Sequence, residues 1–147
     1  MSYQHILVPV DGSQISLSAV KHAAGIAKVF NSQLSLISLV AENPFTDVDF
    51  YYSASIMKDY FIQAQANAEK ALAEALTIST EVGIAAITRI VEGPVSAEGV
   101  VKAAESLDAD FIVMGSHGRK GVQKFFLGSF AQDVLATSSL PILIIKA

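Results

Sequence analysis

The sequence predicts an α/β fold, a single domain built on a five-stranded, parallel, doubly wound sheet. Three observations carry this. Short apolar runs rich in branched residues recur five times, at His5 to Val10, Leu34 to Val40, Ala86 to Val91, Phe111 to Met114 and Pro141 to Ile145. These runs are nearly continuous in apolar character rather than alternating, as strands covered on both faces are. Between them lie stretches of helical period, and strands that alternate with helices pair in parallel through right-handed crossovers. The chain of 147 residues fits one domain, 1–147, with a substantial core, and 52% hydrophobic against 16% charged residues excludes a disordered chain.

Each element has its own signal. His5 to Val10 (H-I-L-V-P-V) ends at the turn residues Asp11, Gly12 and Ser13. From there Val20, Ala23, Ala24, Ala27 and Phe30 recur at three- and four-residue steps, which predicts an amphipathic helix capped at Ser13 or Ser16. After strand two, Glu42 to Ser53 reads as a loop holding Phe45, Phe50, Tyr51 and Tyr52, aromatics that pack either on the core or on a partner. A long helix follows, with Phe61, Ala64, Ala68, Leu72, Ala75 and Leu76 on one face and a stop at Val82-Gly83. Beyond strand three, Gly93-Pro94 is a turn leading into a helix with Val100, Val101, Ala104 and Leu107 as its buried stripe. Ser129 to Thr137 supplies the last helix. The expected strand order is 3-2-1-4-5, a Rossmann-like arrangement of the adenine nucleotide alpha hydrolase type. In such a sheet ligands sit beyond the carboxyl ends of the strands, where the order reverses.

Composition narrows the chemistry. Without cysteine there are no disulfides, thiolate metal sites or thiol nucleophiles. A net charge of −4 argues against nucleic acid as partner, because that binding depends on Lys and Arg replacing condensed counterions. No apolar run approaches the ~20 residues of a membrane span, so no membrane insertion is expected. The polar start, Met1 to His5, has no signal-peptide character, and the expected compartment is the cytoplasm.

The stretch from Met114 to Ser129, M-G-S-H-G-R-K-G-V-Q-K-F-F-L-G-S, stands apart. Four glycines and the cations Arg119, Lys120 and Lys124 lie between a strand end and a helix start. Glycine lets backbone N–H groups approach an anion, and a helix N-terminus adds unpaired donors and the positive end of its dipole. Phosphate is the expected guest. The stretch is neither G-x-x-x-x-G-K-[ST] nor G-x-G-x-x-G. It reads Gly115-x2-Gly118-x9-Gly128-Ser129.

With that spacing the chain resembles the universal stress protein family, in particular its ATP-binding branch with the motif G-x2-G-x9-G-[ST]. V-P-V-D-G-S from Val8 to Ser13, the M-G-S-H-G-R run and the P-I-L-I-I ending occur in register with it. The resemblance implies an adenine nucleotide, ATP with AMP or ADP as alternatives, together with Mg²⁺. It implies that Pro9 and Val10 line the adenine pocket and that Leu39 or Val40 offers backbone contacts to the base. Asp11 would take ribose hydroxyls or approach a metal, Met114 and Gly115 would flank the sugar, and Gly118, Gly128, Ser129 and Phe130 would present N–H groups to the phosphates. Phe130 and Ala131 replace the small aliphatic and hydroxyl residues common there, which removes one phosphate ligand and narrows the pocket.

Each of these residues also has a plainer use. Asp11 fits an Asx turn before the first helix. Ser129 with Gln132 makes a capping-box pattern. Arg119, Lys120 and Lys124 fit a solvated loop as well as a phosphate contact. His117 is the histidine placed near a ligand, without an identifiable carboxylate partner for acid–base work.

Three functions compete on this sequence. The first is an ATP-binding regulatory or stress-response module that passes its nucleotide state to an unknown downstream partner. The second is an enzyme that slowly hydrolyses ATP or transfers its adenylyl or phosphoryl group; the chain shows neither S-G-G-x-D-S nor H-x-G-H, and no dedicated catalytic residues or metal ligands are expected. The third is a protein-interaction module with no nucleotide. For assembly, the apolar edge strand Pro141 to Ile145 invites pairing, and the resemblance implies a homodimer through it.

Overall fold

In the computed structural model, residues 3–42, 55–117 and 127–146 are described, residues 55 and 56 by their backbone alone. The elements run β1 (His5–Pro9), α1 (Gln14–Phe30), β2 (Gln33–Val40), α2 (Ser55–Val82), β3 (Ile87–Glu92), α3 (Ala97–Ser106), β4 (Phe111–Gly115), α4 (Ser129–Thr137) and β5 (Ile142–Ile145). The five strands form one parallel sheet in the order β3-β2-β1-β4-β5, as the sequence predicts.

Strand alternation divides the core in two. Ile6 and Val8 of β1, Leu34 and Leu36 of β2 and Val113 of β4 face α1 and α2, against Ala19, Ala23, Ala27, Ala71, Leu72 and Ala75. Leu7, Ile37, Ile112 and Met114 face the other way, against Val100 and Ala104 of α3 and Ala131 and Val134 of α4. Fully burying one such Leu, Ile or Val contributes roughly 1.5–3 kcal/mol, and the alanines let the helices approach the sheet closely. On α2 the buried residues with described side chains are Ala68, Ala71, Leu72, Ala75 and Ser79, while Leu76 is 36% exposed, so the helix presents a face rotated slightly from the one its periodicity predicts.

Helix ends follow local chemistry. Ser13 Oγ accepts the Ser16 N–H at 3.2 Å and caps α1, which closes at Asn31 with φ 56°. At the end of α2, Gly83 takes φ +100°. Its N–H donates to Thr80 O and the Ile84 N–H to Ser79 O, each at 3.0 Å. This pair of bonds is a Schellman close, and it explains why the helix stops where Val82-Gly83 predicts. Ser79, fully buried, adds a bond from its hydroxyl to Ile84 O at 2.7 Å.

Two features of register open the site. β1 and β4 pair only at Ile6↔Phe111 and Leu7↔Ile112, then part. β2 last pairs with β1 at Pro9↔Ile37 but runs on through Ser38, Leu39 and Val40, held there by β3 alone. The amino end of the same seam is clipped shut. Asp110 accepts the Gln4 N–H on Oδ2 at 2.9 Å and the His5 N–H on Oδ1 at 3.0 Å, while its own N–H donates to His5 O at 2.9 Å.

Candidate functional site

Where β1 and β4 part, a cavity of about 750 Å³ lies across the carboxyl ends of β1, β2 and β4. Its lining includes Pro9, Val10 and Asp11 at and just past the end of β1, Leu39 and Val40 from β2, Met114 and Gly115 from β4 with His117 just beyond it, and Gly128, Ser129 and Phe130 at the start of α4. Eleven residues singled out in the sequence thus meet in one crevice. Gly118 and Arg119 lie outside the described residues, as do Lys120, Lys124 and the aromatics Phe45 to Tyr52.

Gly115 is required by packing rather than by its backbone angles. A Cβ there would come within 2.9 Å of Ile15 Cγ1 and 3.1 Å of Cγ2, so its absence lets the buried Ile15 seat the first turn of α1 against β4. That contact fixes the β1–α1 turn, and with it Asp11. The turn is Asx-type: Asp11 Oδ1 accepts the Ser13 N–H at 2.8 Å. Its side chain is nevertheless exposed on the cavity, and Oδ2 has no hydrogen-bond partner among the described residues. Both uses of Asp11 are geometrically compatible.

The start of α4 differs from the capping box that Ser129 and Gln132 suggest. Gly128 is the N-cap, with φ −63° and ψ 155°, and Ser129 is the first helical residue. The Gln132 side chain donates instead to Leu127 O at 2.6 Å. The Gly128 N–H is also taken, by Ser116 O at 2.7 Å, which ties the helix start to the end of β4. A Cβ on Gly128 would meet Ser116 O at 3.0 Å and His117 Cα at 3.2 Å, so this junction needs glycine. The first intrahelical donor is Gln132, bonded to Gly128 O at 3.0 Å. The N–H groups of Ser129, Phe130 and Ala131 therefore form the orphan set of the first turn, and all three residues line the cavity.

Among the described residues that line the crevice there is no Lys or Arg, and Asp11 is the one carboxylate. Among the described residues, attraction for an anion comes from the backbone donors and dipole of α4. No group of three His, Asp or Glu that could hold a metal occurs among the described residues. The free Asp11 oxygen is the one carboxylate donor that the described residues bring to the crevice. His117 Nδ1 lies 3.1 Å from Ser116 Oγ and has no carboxylate beside it among the described residues.

One wall escaped the sequence reading. Tyr60, Ala64, Asn67, Ala68 and Ala71 of α2 line the cavity on the sheet face that carries Ser38, and Val95 lines it as well. The i, i+4, i+7 spacing of 60, 64, 67, 68 and 71 marks them as one helical face. Nothing in a period says that such a face covers a cavity rather than a core.

Comparison with known proteins agrees with the fold. The model of the universal stress protein family matches residues 2–146. Universal stress protein MJ0531 of Methanocaldococcus jannaschii is 34% identical over 144 residues, which span 98% of this chain and 82% of that protein. Among solved structures, a universal stress protein in complex with cAMP superposes with a TM-score of 0.74 at 28% identity, covering 99% of this chain and 98% of that one. The hypothetical protein MJ0577 superposes with a TM-score of 0.82 at 24% identity, covering 100% and 98%, a likeness of fold. No helix among the described residues is long and apolar enough to cross a membrane. With a family match over nearly its whole length and a relative this similar, the chain belongs to the universal stress protein family.

Proposed function

We propose that the protein is a nucleotide-dependent regulatory module whose ligand is an adenine nucleotide, ATP foremost. The observation that carries this is the division of the crevice into two ends. At one end the unpaired N–H groups of α4 suit phosphate, and away from it Val10, Leu39 and Val40, at the ends of β1 and β2, give the crevice apolar walls that suit a base. The solved relative at 28% identity holds cAMP, an adenine nucleotide, which favours the same ligand class here. In this scheme Asp11 holds ribose hydroxyls through its free oxygen. ATP brings Mg²⁺ with it rather than finding a preformed metal site.

The protein acts as a homodimer through β5. Ile112 N–H bonds to Pro141 O at 3.0 Å and Ser116 N–H to Ile145 O at 2.8 Å, so the odd-numbered residues of β5 face β4. By alternation the N–H and C=O of Ile142 and Ile144 point outward from the sheet edge, free to pair with a second strand.

Calorimetric titration of ATP, ADP, AMP and cAMP into the purified protein, with and without Mg²⁺, tests the nucleotide assignment. Saturable one-site binding of adenine nucleotides supports it. Absence of heat and of any thermal shift at millimolar ATP with Mg²⁺ removes its basis.

A further inference from the structure

Beneath α2, Ser38 forms part of the cavity wall. It is only 6% exposed, and its hydroxyl has no hydrogen-bond partner among the described residues. No fully buried side-chain polar atom there is left without a partner, so the Ser38 oxygen is one that reaches open space, and the space it borders is this cavity. Its position follows from the sheet. Ser38 shares the face of Leu34 and Leu36, toward α1 and α2, and lies where β2 has outrun β1. Opposite it, α2 presents Ala64, Ala68 and Ala71, whose small side chains leave the hydroxyl uncovered.

A nearly buried hydroxyl in apolar surroundings costs stability unless something bonds to it. The other buried serines of the strands and helices contrast with it. Ser35 Oγ meets His5 Nε2 at 2.7 Å, Ser79 Oγ bonds to Ile84 O at 2.7 Å, and Ser16 Oγ bonds to Ser13 O at 2.9 Å. Ser38 alone of these waits for a partner from the cavity. With Ala64, Ala68 and Ala71 opposite it, the hydroxyl is a polar point in an apolar part of the lining, which suits an apolar body with one polar edge. It does not suit phosphate, for which α4 holds the donors. Asn67 stands at the rim, its Oδ1 taken by Gln63 Nε2 at 2.9 Å, which turns its amide N–H₂ to other acceptors.

We propose that Ser38 is a base-contacting, specificity-determining residue: the nucleobase slides under α2 and its polar edge bonds to the Ser38 hydroxyl. This rests on the nucleotide assignment made above. A hydroxyl both donates and accepts, so it can meet the ring nitrogen or the amino group that an adenine edge presents side by side.

The test compares wild type with Ser38→Ala and Ser38→Thr, measuring dissociation constants for adenosine, AMP and ATP by calorimetry or ligand-observed NMR. Losing one net hydrogen bond weakens binding by about 5- to 10-fold. The expected result is that Ser38→Ala weakens all three ligands by a similar factor, because the base is common to them, and that Ser38→Thr, which keeps the hydroxyl, restores most of the affinity. Thermal unfolding without ligand gives the structural control, and the midpoint of Ser38→Ala should not fall, since no protein bond is lost. Unchanged affinity in Ser38→Ala, or weakening confined to ATP, overturns the role of Ser38 while leaving nucleotide binding intact. Failure of wild type itself to bind any of the three overturns the nucleotide assignment and this proposal with it.

Discussion

If the phosphates are held by backbone N–H groups at the start of α4, then removing one N–H should matter more than removing any side chain there. Position 129 allows this to be done without breaking the helix. Ser129 is the first helical residue, where proline is well tolerated because the missing N–H has no intrahelical partner. Gly128 before it has ψ 155°, in the extended range that a following proline requires. Ser129→Pro therefore deletes one donor and the hydroxyl, and Ser129→Ala deletes the hydroxyl alone. A hydrogen bond to a charged acceptor contributes about 1.5–3 kcal/mol, so Ser129→Pro should weaken ATP roughly 10- to 100-fold. Ser129→Ala should stay within about 3-fold of wild type, as loss of a weak surface hydroxyl contact does. Calorimetry reads both constants, and far-ultraviolet circular dichroism with thermal unfolding confirms that α4 is retained. Equal losses in the two variants would mean that the hydroxyl is the ligand. Wild-type affinity in Ser129→Pro with the helix intact would refute backbone capture at this position.

Four further substitutions test packing and hydrogen bonding elsewhere in the fold. Gly99→Ala puts a Cβ 2.0 Å from Pro94 O and 3.4 Å from Leu39 Cδ2. The overlap outweighs the gain of up to about 1 kcal/mol in helix propensity, so stability falls by about 2 kcal/mol and Tm by roughly 4–8 °C. Gly25→Ala in α1 has nothing within 4 Å and should instead gain up to about 1 kcal/mol; urea unfolding of the pair must give opposite signs for this explanation to hold. Asp110→Ala strands the Gln4 and His5 N–H groups and should cost about 2 kcal/mol, with faster amide exchange at His5, and stability equal to wild type would show the clip to be idle. Ile144→Pro removes an outward N–H from the β5 edge without touching a bond to β4, and sedimentation should then report a monomer; a persisting dimer would move the interface elsewhere.

The fold was legible in the sequence because its signals are local and repeated. Ser13, Gly83 and the run from Ser129 to Thr137 each name a helix end by its own chemistry, and the structure places those ends there. The strand order carries further, since it brings Asp11 and Gly115 to one crevice from positions about a hundred residues apart. What could not be read depended on three-dimensional closure. Ser129 and Gln132 have the spacing of a capping box, but the chain enters α4 one residue earlier, pinned by the Gly128 N–H on Ser116 O, and Gln132 bonds elsewhere. Leu76 has the period of a core residue and is partly exposed, because α2 turns the adjoining stripe of Ala68, Ala71, Leu72, Ala75 and Ser79 inward instead. Ser38 is the sharper omission. In the sequence it is a polar interruption of an apolar strand, indistinguishable from Ser35, and only the position of α2 and the early end of β1 separate a satisfied serine from a waiting one.

The two-pair seam between β1 and β4 has a mechanical consequence. Strands β1 to β3 and strands β4 and β5 meet along the shortest ladder of the sheet, and α1 packs across it against β4. A ligand with its base under α2 and its phosphates on α4 would grip both groups of strands at once, on the side of the seam opposite the Asp110 clip. Nucleotide would then act as a second fastener, and its effect on exchange should be greatest at the backbone amide of Gly115, which by alternation points to the β1 side beyond the last β1–β4 pair. A nucleotide state would in this way be passed on as the stiffness of the seam.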